Sequence, residues 1–215
     1  MPRKALLLIL LILGACARHP VVLPEKALFS GRSYQAVVVY RVRGAGRTYG
    51  GRAVILTAKN RVYAEGLSPF GVALFSLWLE GSRIRWVFYT RGETGGWDLV
   101  PPEPRLGTLW PALLLGRVPR EMARDLARQG KVSLGHGYSL RLKGGPLRYL
   151  LTWKGRRILE VRPGGKEVGL KVHPLRIDLV LRLVRVLPGP SQIPPPPPVP
   201  VSRLDLNRYL GISGD

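Results

Sequence analysis

The chain has 215 residues, of which 34 are Lys or Arg and 13 are Asp or Glu, so its formal net charge is +21. This length suits one domain with a core of its own. The only cysteine, Cys16, excludes a disulfide within the chain and a thiol nucleophile elsewhere, so packing must stabilise the fold.

The first fifteen residues have the composition of an export signal. Arg3 and Lys4 give a positive start, and the apolar stretch 5–13 is too short to span a bilayer. Residues 1–15 are therefore predicted to be a signal peptide. The sequence LGAC at positions 13–16 is typical of the lipobox of bacterial lipoproteins. The alternative is an ordinary secretory signal followed by a chance cysteine.

Lipidation of Cys16 would hold the chain on a membrane without a spanning helix. In lipoproteins with this motif the cysteine becomes the first mature residue and carries acyl chains, and each buried CH₂ contributes about 0.8 kcal/mol. Residues 16–29 are then a lipidated tether. In the lipoproteins that this motif resembles, Asp after the cysteine marks inner-membrane retention. Ala17 therefore favours the outer membrane, with the chain on its periplasmic face.

Five strands with short links follow the tether. Alternating apolar and polar residues predict strands at 33–43, 52–58, 61–67, 72–80 and 82–90. Parallel strands of a βαβ fold are joined by helices, and no helix of about 10–15 residues interrupts these five strands. The pattern therefore predicts an up-and-down antiparallel meander.

The link between the third and fourth of these strands carries an unusual aromatic residue. Pro69 and Gly71 are typical turn residues in the sequence SPFG, whereas a turn tip is seldom as apolar as Phe70. From the residues alone, two interpretations remain open. The ring folds back onto its own sheet edge, or it projects from the fold towards a membrane.

Helical periodicity replaces the strand pattern after a Gly- and Pro-rich loop at 91–104. Apolar residues recur at helical spacing at Leu106, Leu109, Trp110, Leu113 and Leu114. A second helix is predicted at 121–129, closed by Gly130. Such a helical pair can plug the concave side of a curved sheet, so the apolar stripe predicts core.

Strands return in the second half of the chain. They are predicted at 138–142, 147–153, 156–162, 168–173 and 175–187. The predicted fold class is therefore mainly β (α+β), a half-open antiparallel β-barrel of about ten strands with a short helical lid, over residues 30–187. Residues 188–215 form a proline-rich tail, whose polyproline II segment straps across the barrel or projects as a spacer.

The sequence predicts no catalytic site, metal site or cofactor. His19, His136 and His173 lack metal-ligand spacing, and no HExxH, GxSxG or P-loop motif occurs. The candidate carboxylates show no local pairing and are Glu65, Glu80, Glu93, Asp98, Glu160 and Asp178. We therefore expect a protein that is not an enzyme.

The positive charge predicts acidic partners. An exported chain does not meet nucleic acid, and no nucleic-acid-binding motif occurs. Anionic lipid head groups or cell-wall polymers remain as partners. The alternative is that the cations simply form a solvated surface.

Two stretches, together with the lipobox, resemble a known family. They are RVYAEGLSPFGVALFSLWLEGSRIRWVFY at 61–89 and LGTLWPALLLGRVP at 106–119. They resemble bacterial outer-membrane lipoproteins of the LolB type and, more loosely, the LolA/LolB-like fold. The resemblance covers roughly residues 30 to 187.

This resemblance implies a half-barrel, capped by helices, whose apolar concave face holds acyl chains. Members accept lipoproteins from a soluble periplasmic carrier and place them in the outer membrane. An apolar residue on a loop between two early strands touches the membrane, and Pro69-Phe70 matches that position. The implied acyl-chain cavity is lined by Val38, Tyr40, Ile84, Trp86, Phe88, Tyr149 and Leu151, and by Leu109, Leu113 and Leu114 of the lid.

Three hypotheses follow for the function. The first is acceptance and insertion of lipoproteins. The second is a lipid- or glycolipid-binding envelope-assembly lipoprotein of the same fold, and the third is a structural lipoprotein with a filled core. The expected partners are the membrane, through Cys16, with acylated lipoproteins, a soluble carrier and anionic lipids. The chain is expected to be a monomer.

Overall fold

The computed structural model describes most of the chain between residues 23 and 198. The described ranges are 23–31, 33–44, 46–99, 102–144, 147–190 and 192–198, without the side chain of Trp97. The predicted signal peptide (1–15), Cys16 and the last part of the proline-rich tail lie outside the described residues. Within those ranges, no helix is both long and apolar enough to cross a membrane.

Six antiparallel strands that follow one another along the chain form the first half of the main sheet. A short strand, β1 (Leu28–Phe29), precedes them. The six are β2 (Tyr34–Gly44), β3 (Arg47–Ala58), β4 (Arg61–Leu67), β5 (Ala73–Glu80), β6 (Arg83–Phe88) and β7 (Glu93–Asp98). Strand β7 has the sequence ETGGWD, whose glycines and acidic residues disfavour strands. Pairing with β6 overrides this weak propensity. The sequence indicated at most a short strand at 97–100 in the loop predicted at 91–104, and the strand begins earlier, at Glu93.

Two helices follow, as the periodicity predicts. Helix α1 (Arg105–Leu114) and helix α2 (Arg120–Gln129) are separated by the short strand β8 (Val118–Pro119), which pairs in parallel with β1. Helix α2 ends at Gly130, whose φ of 66° lies in the left-handed region that glycine adopts easily.

The second half of the sheet is again a meander. Its strands are β9 (Lys131–Gly135), β10 (Tyr138–Lys143), β11 (Arg148–Trp153), β12 (Arg156–Gly164), β13 (Glu167–Val172) and β14 (Ile177–Pro188). Strand β9 was not predicted, because it has five residues and begins directly after the glycine that ends α2.

The main sheet has twelve strands in the order β7-β6-β5-β4-β3-β2-β14-β13-β12-β11-β10-β9. Every neighbouring pair is antiparallel, and β14 joins the two meanders by pairing with β2. Strands β7 and β9 are the two edges, so the described strands form an open sheet and not a closed barrel. The mainly-β, half-open architecture with a short helical lid is thus confirmed, with two more strands in the main sheet than predicted.

One face of the sheet, here called the inner face, packs against both helices. Along β2, Ala36, Val38 and Tyr40 are buried, whereas the residues between them are only half-buried or exposed. These inner-face residues form one hydrophobic cluster with Leu109 of α1 and Leu126 of α2. The helices therefore supply the second layer that a sheet needs to bury an apolar face.

The opposite, outer face is covered in part by the proline-rich segment 192–198. Ile193 packs against the outer-face side chains of Tyr63, Trp78 and Val87. The Trp78 indole Nε1 donates a hydrogen bond to the Pro194 carbonyl at 3.0 Å. Of the two arrangements that the sequence left open, the described part of the tail is therefore a strap across the sheet.

Candidate functional site

The register places all seven predicted strand residues of the cavity wall on the inner face. Directly paired residues of antiparallel strands project from the same side of a sheet. Val38 pairs with Leu183 and Tyr40 with Leu181 on β14. The remaining inner-face pairs at these positions are Leu79↔Ile84, Leu77↔Trp86, Phe75↔Phe88, Tyr149↔Val161 and Leu151↔Leu159.

The predicted wall residues differ sharply in burial. Five of them are at most 1% exposed and pack within the core, namely Val38, Leu109, Leu113, Tyr149 and Leu151. Tyr40 is 9% exposed, whereas Ile84 and Leu114 are only partly buried against the same cluster. Phe88 is 39% exposed. The inner face is therefore tightly packed in one region and open in another.

Helix α1 accounts for the packed region. The Tyr34 hydroxyl at the start of β2 donates to the Pro111 carbonyl at 2.8 Å, and the Trp110 indole Nε1 donates to the Gly81 carbonyl at 2.9 Å. A side chain at Gly107 would crowd Asn60, which lies in the β3–β4 turn. Helix α1 is thus fastened over one end of the central strands.

The uncovered region lies towards the other end of the same strands. We call it the mouth and define it by six apolar inner-face residues that are only partly buried or exposed: Val42, Tyr49, Phe75, Trp86, Phe88 and Leu179. Its rings are in contact, since the Phe75 centroid lies 5.8 Å from Tyr40 and 6.1 Å from Phe88. Phe75 thus links the core residue Tyr40 to the exposed ring of Phe88, so the mouth is mostly aromatic and borders the core.

Glycines on neighbouring strands let two of these rings lie flat. A methyl group at Gly66 would overlap the Phe75 ring, and one at Gly95 would overlap the Trp86 ring. Glycine inside a strand often marks such a close approach. These two rings therefore lie close over the backbone of the neighbouring strands, and we call the aromatic surface of the mouth the trough.

Phe70 projects from the loop between β4 and β5 and is 93% exposed. The loop is closed by hydrogen bonds from the Ser68 amide to the Val72 carbonyl (2.8 Å) and from the Gly71 amide to the Ser68 carbonyl (3.0 Å). Gly71 has φ 80°, which suits glycine. The ring is therefore held away from the sheet and does not fold back onto its edge. Val72, which is 64% exposed, extends the apolar tip.

The loop and the mouth lie at the same end of the sheet. Leu67 and Ala73 form the last pair of β4 and β5, directly before and after the loop. Phe75 pairs with Phe88 close by on β6, and the Tyr89 amide donates to the Leu74 carbonyl at 3.0 Å. The exposed ring of Phe70 and the mouth are thus presented at one end of the sheet.

Tyr149 places a polar atom in the packed region. Its hydroxyl is buried and has no hydrogen-bond partner among the described atoms. Burial raises the pKa of Tyr149 to about 12, so this phenol stays neutral at physiological pH. Nearly all buried polar groups have partners, so an orphaned hydroxyl marks a place where a polar atom would be stabilised.

One contact near α1 has no local signal in the sequence. Glu103 is 3% exposed, and its carboxylate accepts a hydrogen bond from the Arg105 amide at 2.9 Å. Its other oxygen lies 3.0 Å from His136 Nδ1 in the β9–β10 turn. Glu103 thus links the start of the lid to the far edge of the sheet. Across the described ranges, no group of three or more His, Cys, Asp and Glu could hold a metal ion.

No family model matches the chain, and no curated protein matches it in sequence. Similar solved structures include a LolA superfamily protein from Nitrosomonas europaea, with 12% identity, a TM-score of 0.35 and coverage of 79% of this chain and 92% of that one. A putative outer membrane lipoprotein-sorting protein domain from Vibrio parahaemolyticus has 7% identity, a TM-score of 0.37 and coverage of 76% and 88%.

An uncharacterized conserved protein from Thermus thermophilus has 14% identity, a TM-score of 0.32 and coverage of 80% of this chain and 91% of that one. These scores are too low for function to be carried over from any of the three proteins. The proposals below therefore depend on the residues of this chain.

Proposed function

We propose that this chain is a lipid-anchored envelope protein that binds acyl chains on the inner face and receives lipoproteins for insertion into the outer membrane. The observation that carries the proposal is the mouth, a set of incompletely buried, mostly aromatic residues on the inner face, at the end of the sheet that also carries the protruding Phe70. Contiguous exposed apolar surface on a soluble domain marks a binding or membrane-contact site. In this proposal the cargo comes from a soluble periplasmic carrier.

The proposal gives the mouth and the Phe70 loop separate tasks. The trough shields an acyl chain from water, at about 0.8 kcal/mol for each CH₂ that it buries. Phe70 and Val72 enter the outer layer of the membrane, where the cargo leaves the protein. Transfer needs no ATP provided that each successive site binds the acyl chain more strongly than the one before.

Deeper binding requires α1 to move. Leu109 and Leu113 fill the space beneath the lid, so an acyl chain enters that space only by displacing them. The hydrogen bonds from Tyr34 and Trp110 hold α1 at the closed end, which makes a hinge there compatible with opening towards the mouth. The unpartnered Tyr149 hydroxyl would then meet water or an ester oxygen.

The anchor completes the proposal. Lipidation of Cys16 would keep the chain at the membrane into which it delivers cargo, and stable anchoring needs two or more acyl chains. No catalytic residue takes part, because acceptance and release are both binding equilibria.

The test separates acceptance from delivery with the full-length chain. A fluorescently labelled acylated lipoprotein, held by its soluble carrier, is mixed first with the protein in neutral detergent and then with protein-bearing vesicles. Phe88→Arg places a charge in the trough and should abolish acceptance. Phe70→Glu should accept cargo normally but fail to deliver it, because a carboxylate at the tip opposes membrane entry.

Val184→Glu is the matched control, since Val184 is an exposed apolar residue (61%) on β14 that belongs neither to the mouth nor to the Phe70 loop. It should accept and deliver as the parent chain does. Normal delivery by Phe70→Glu, or normal acceptance by Phe88→Arg, would contradict the proposal.

A structural lipoprotein is the second candidate, because the packed half of the inner face is filled by the protein's own side chains. It predicts that neither the labelled cargo nor a free fatty acid binds to the parent chain. Cargo binding that Phe88→Arg abolishes would exclude it.

A further inference from the structure

A cleft of about 710 Å³ lies on the outer face, beside the loop that carries Phe70. Two rows of paired residues cross it. The first row crosses β14, β2, β3 and β4 and consists of four residues, each paired with the next: Arg182, Val39, Arg52 and Leu67. In the second row Val180 pairs with Arg41, which pairs with Gly50. We call this depression the outer cleft; it opens on the side of the sheet opposite the mouth.

The outer cleft is cationic. Arg41, Arg52 and Arg182 line it and are all exposed, and Glu167 is the one acidic residue in its described lining. None of the three guanidinium groups has a carboxylate of the described residues within 4.0 Å. Their donors are therefore available to a ligand.

The spacing of the three arginines suits a single phosphate group. Arg52 and Arg182 lie on the two strands that flank β2, so their backbones are about 10 Å apart. Val39 on β2 lies between Arg52 and Arg182. Arg41 is two residues further along β2, which is a distance of about 7 Å. Guanidinium side chains of this length can converge on one anion, and they bind phosphate oxygens in a bidentate manner.

The lining of the outer cleft also has apolar parts. Gly50 contributes no side chain, while Leu67, Leu74 and Val180 contribute a hydrocarbon wall. A free inorganic anion gains nothing from such a wall. The glycerol backbone and first methylenes of a phospholipid do, because they carry apolar surface next to the phosphate.

The outer cleft is continuous with the membrane-contact loop. Ser68 and Pro69 line the cleft, and the next residue in the chain is the exposed Phe70. We propose that the outer cleft binds the phosphate head group of an anionic phospholipid in the membrane that Phe70 enters. This inference rests on the proposed function, in which Phe70 contacts the membrane.

Such a site would fix the orientation of the half-barrel. Phe70 alone is a single contact about which the domain can rotate. A second contact on the outer face holds the sheet at a defined angle, with the end that carries Phe70 and the mouth nearest the bilayer. An anionic leaflet attracts each nearby cationic residue and so also favours this arrangement.

The experiment measures head-group binding by the purified full-length chain in neutral detergent micelles. Isothermal titration calorimetry compares dihexanoyl phosphatidylglycerol, dihexanoyl phosphatidylcholine and inorganic phosphate, each at low and at high salt. We expect phosphatidylglycerol to bind at least about tenfold more tightly than either of the others, with weaker binding at high salt.

The variant Arg41→Glu/Arg52→Glu/Arg182→Glu should lose this binding, and Arg52→Gln alone should weaken it several-fold. The matched control reverses the same number of exposed charges on α2 and β9, in Arg124→Glu/Arg128→Glu/Lys131→Glu, and should bind as the parent does. Circular dichroism establishes that each variant is folded. Should the triple variant fail to fold, Arg52→Gln decides the question alone.

Three results would overturn the inference. Equal binding of inorganic phosphate would make the outer cleft a simple anion site. Equal binding of phosphatidylcholine would remove the preference for an anionic lipid, and equal losses in both charge-reversed variants would make the effect one of net charge. Phe70→Ser, which removes the apolar ring without adding a charge beside the outer cleft, should keep phosphatidylglycerol binding in micelles, so failure of the delivery hypothesis remains distinguishable from failure of this one.

Discussion

The two faces of the twelve-stranded sheet are made by the same strands but have different coverings. On the inner face, two helices and alternate residues of most strands form one continuous core. On the outer face, a small separate cluster around Trp78 is buried by the strap that contains Ile193. Strand alternation therefore decides which residues share a face, whereas segments distant in sequence decide whether that face becomes core, trough or cleft.

The largest expected difference between the faces is in the cost of removing a leucine side chain. Leu109 is fully buried on α1, whereas Leu187 on β14 is 37% exposed. Leu109→Ala should lower the free energy of unfolding by about 2–5 kcal/mol, because it leaves a cavity in the core. Leu187→Ala should cost no more than about 0.5 kcal/mol. Urea denaturation of both variants measures the difference.

A small cost for Leu109→Ala would mean that α1 is a loosely attached lid and that the inner-face core is smaller than its burial indicates. Equal and large costs for both variants would mean that the outer face is buried in solution, against the tail or another copy of the chain.

The inner-face residues were predictable from the sequence because alternation has a period of two wherever one face is apolar. Val38, Trp86 and Tyr149 lie on one side of the sheet as expected. Their different burial could not be predicted. It depends on which end of the strands α1 covers, and that is set by contacts from Tyr34 and Gly81 that have no local signal in the sequence.

The outer cleft was also beyond the sequence. Arg52 and Arg182 are far apart in the chain. They line the same cleft only because β3 and β14 both pair with β2. The turn that carries Phe70 was recognisable from the sequence SPFG, but whether its ring packs on the sheet edge or projects was left open, and the structure shows it 93% exposed. A turn formed by neighbouring residues could therefore be predicted from the sequence, whereas a site formed by residues of several strands could not.

The next prediction applies one substitution to both faces. Trp78 on the outer face donates its indole hydrogen to Pro194 at 3.0 Å, and Trp110 on α1 donates to Gly81 at 2.9 Å. Trp78→Phe should cost about 1 kcal/mol, the usual net value of one hydrogen bond. Both substitutions also remove buried ring volume, and Trp110→Phe should cost more, because Trp110 packs in the large continuous core and Trp78 in a small cluster against the strap.

The strap gives these variants a second readout. The Ile193 methyl groups pack near the rings of Tyr63 and Trp78, so ring currents should shift their NMR signals. Trp78→Phe should move these signals towards unstructured values, whereas Trp110→Phe should leave them unchanged. Identical Ile193 signals in the two variants would show that the strap is not held by this hydrogen bond.

The smallest expected effect is the dependence of stability on pH. The two faces also differ in which groups titrate near neutrality. On the inner face, burial raises the pKa of Tyr138 and Tyr149 to about 12, so both phenols stay neutral. Elsewhere on the sheet, burial lowers the pKa of His173, although Glu160, 3.7 Å away, acts in the opposite direction. Nearby Lys171 and Arg157 also lower it.

A histidine whose pKa is lowered by folding binds protons less readily in the folded than in the unfolded chain. Stability should therefore fall as the pH drops below about 6.5, the unfolded value, and level off below the folded value. His173→Gln should abolish this slope, with a change of less than about 1 kcal/mol. Glu160 affects stability in a lower pH range. The hydrogen bond from Arg162 lowers the pKa of Glu160, so the stability that ionised Glu160 contributes is lost as the pH falls through that lowered value. Urea midpoints of the parent and His173→Gln, measured from neutral pH to about pH 5, should diverge only below about pH 6.5. Parallel curves would show that His173 ionises equally freely in both states.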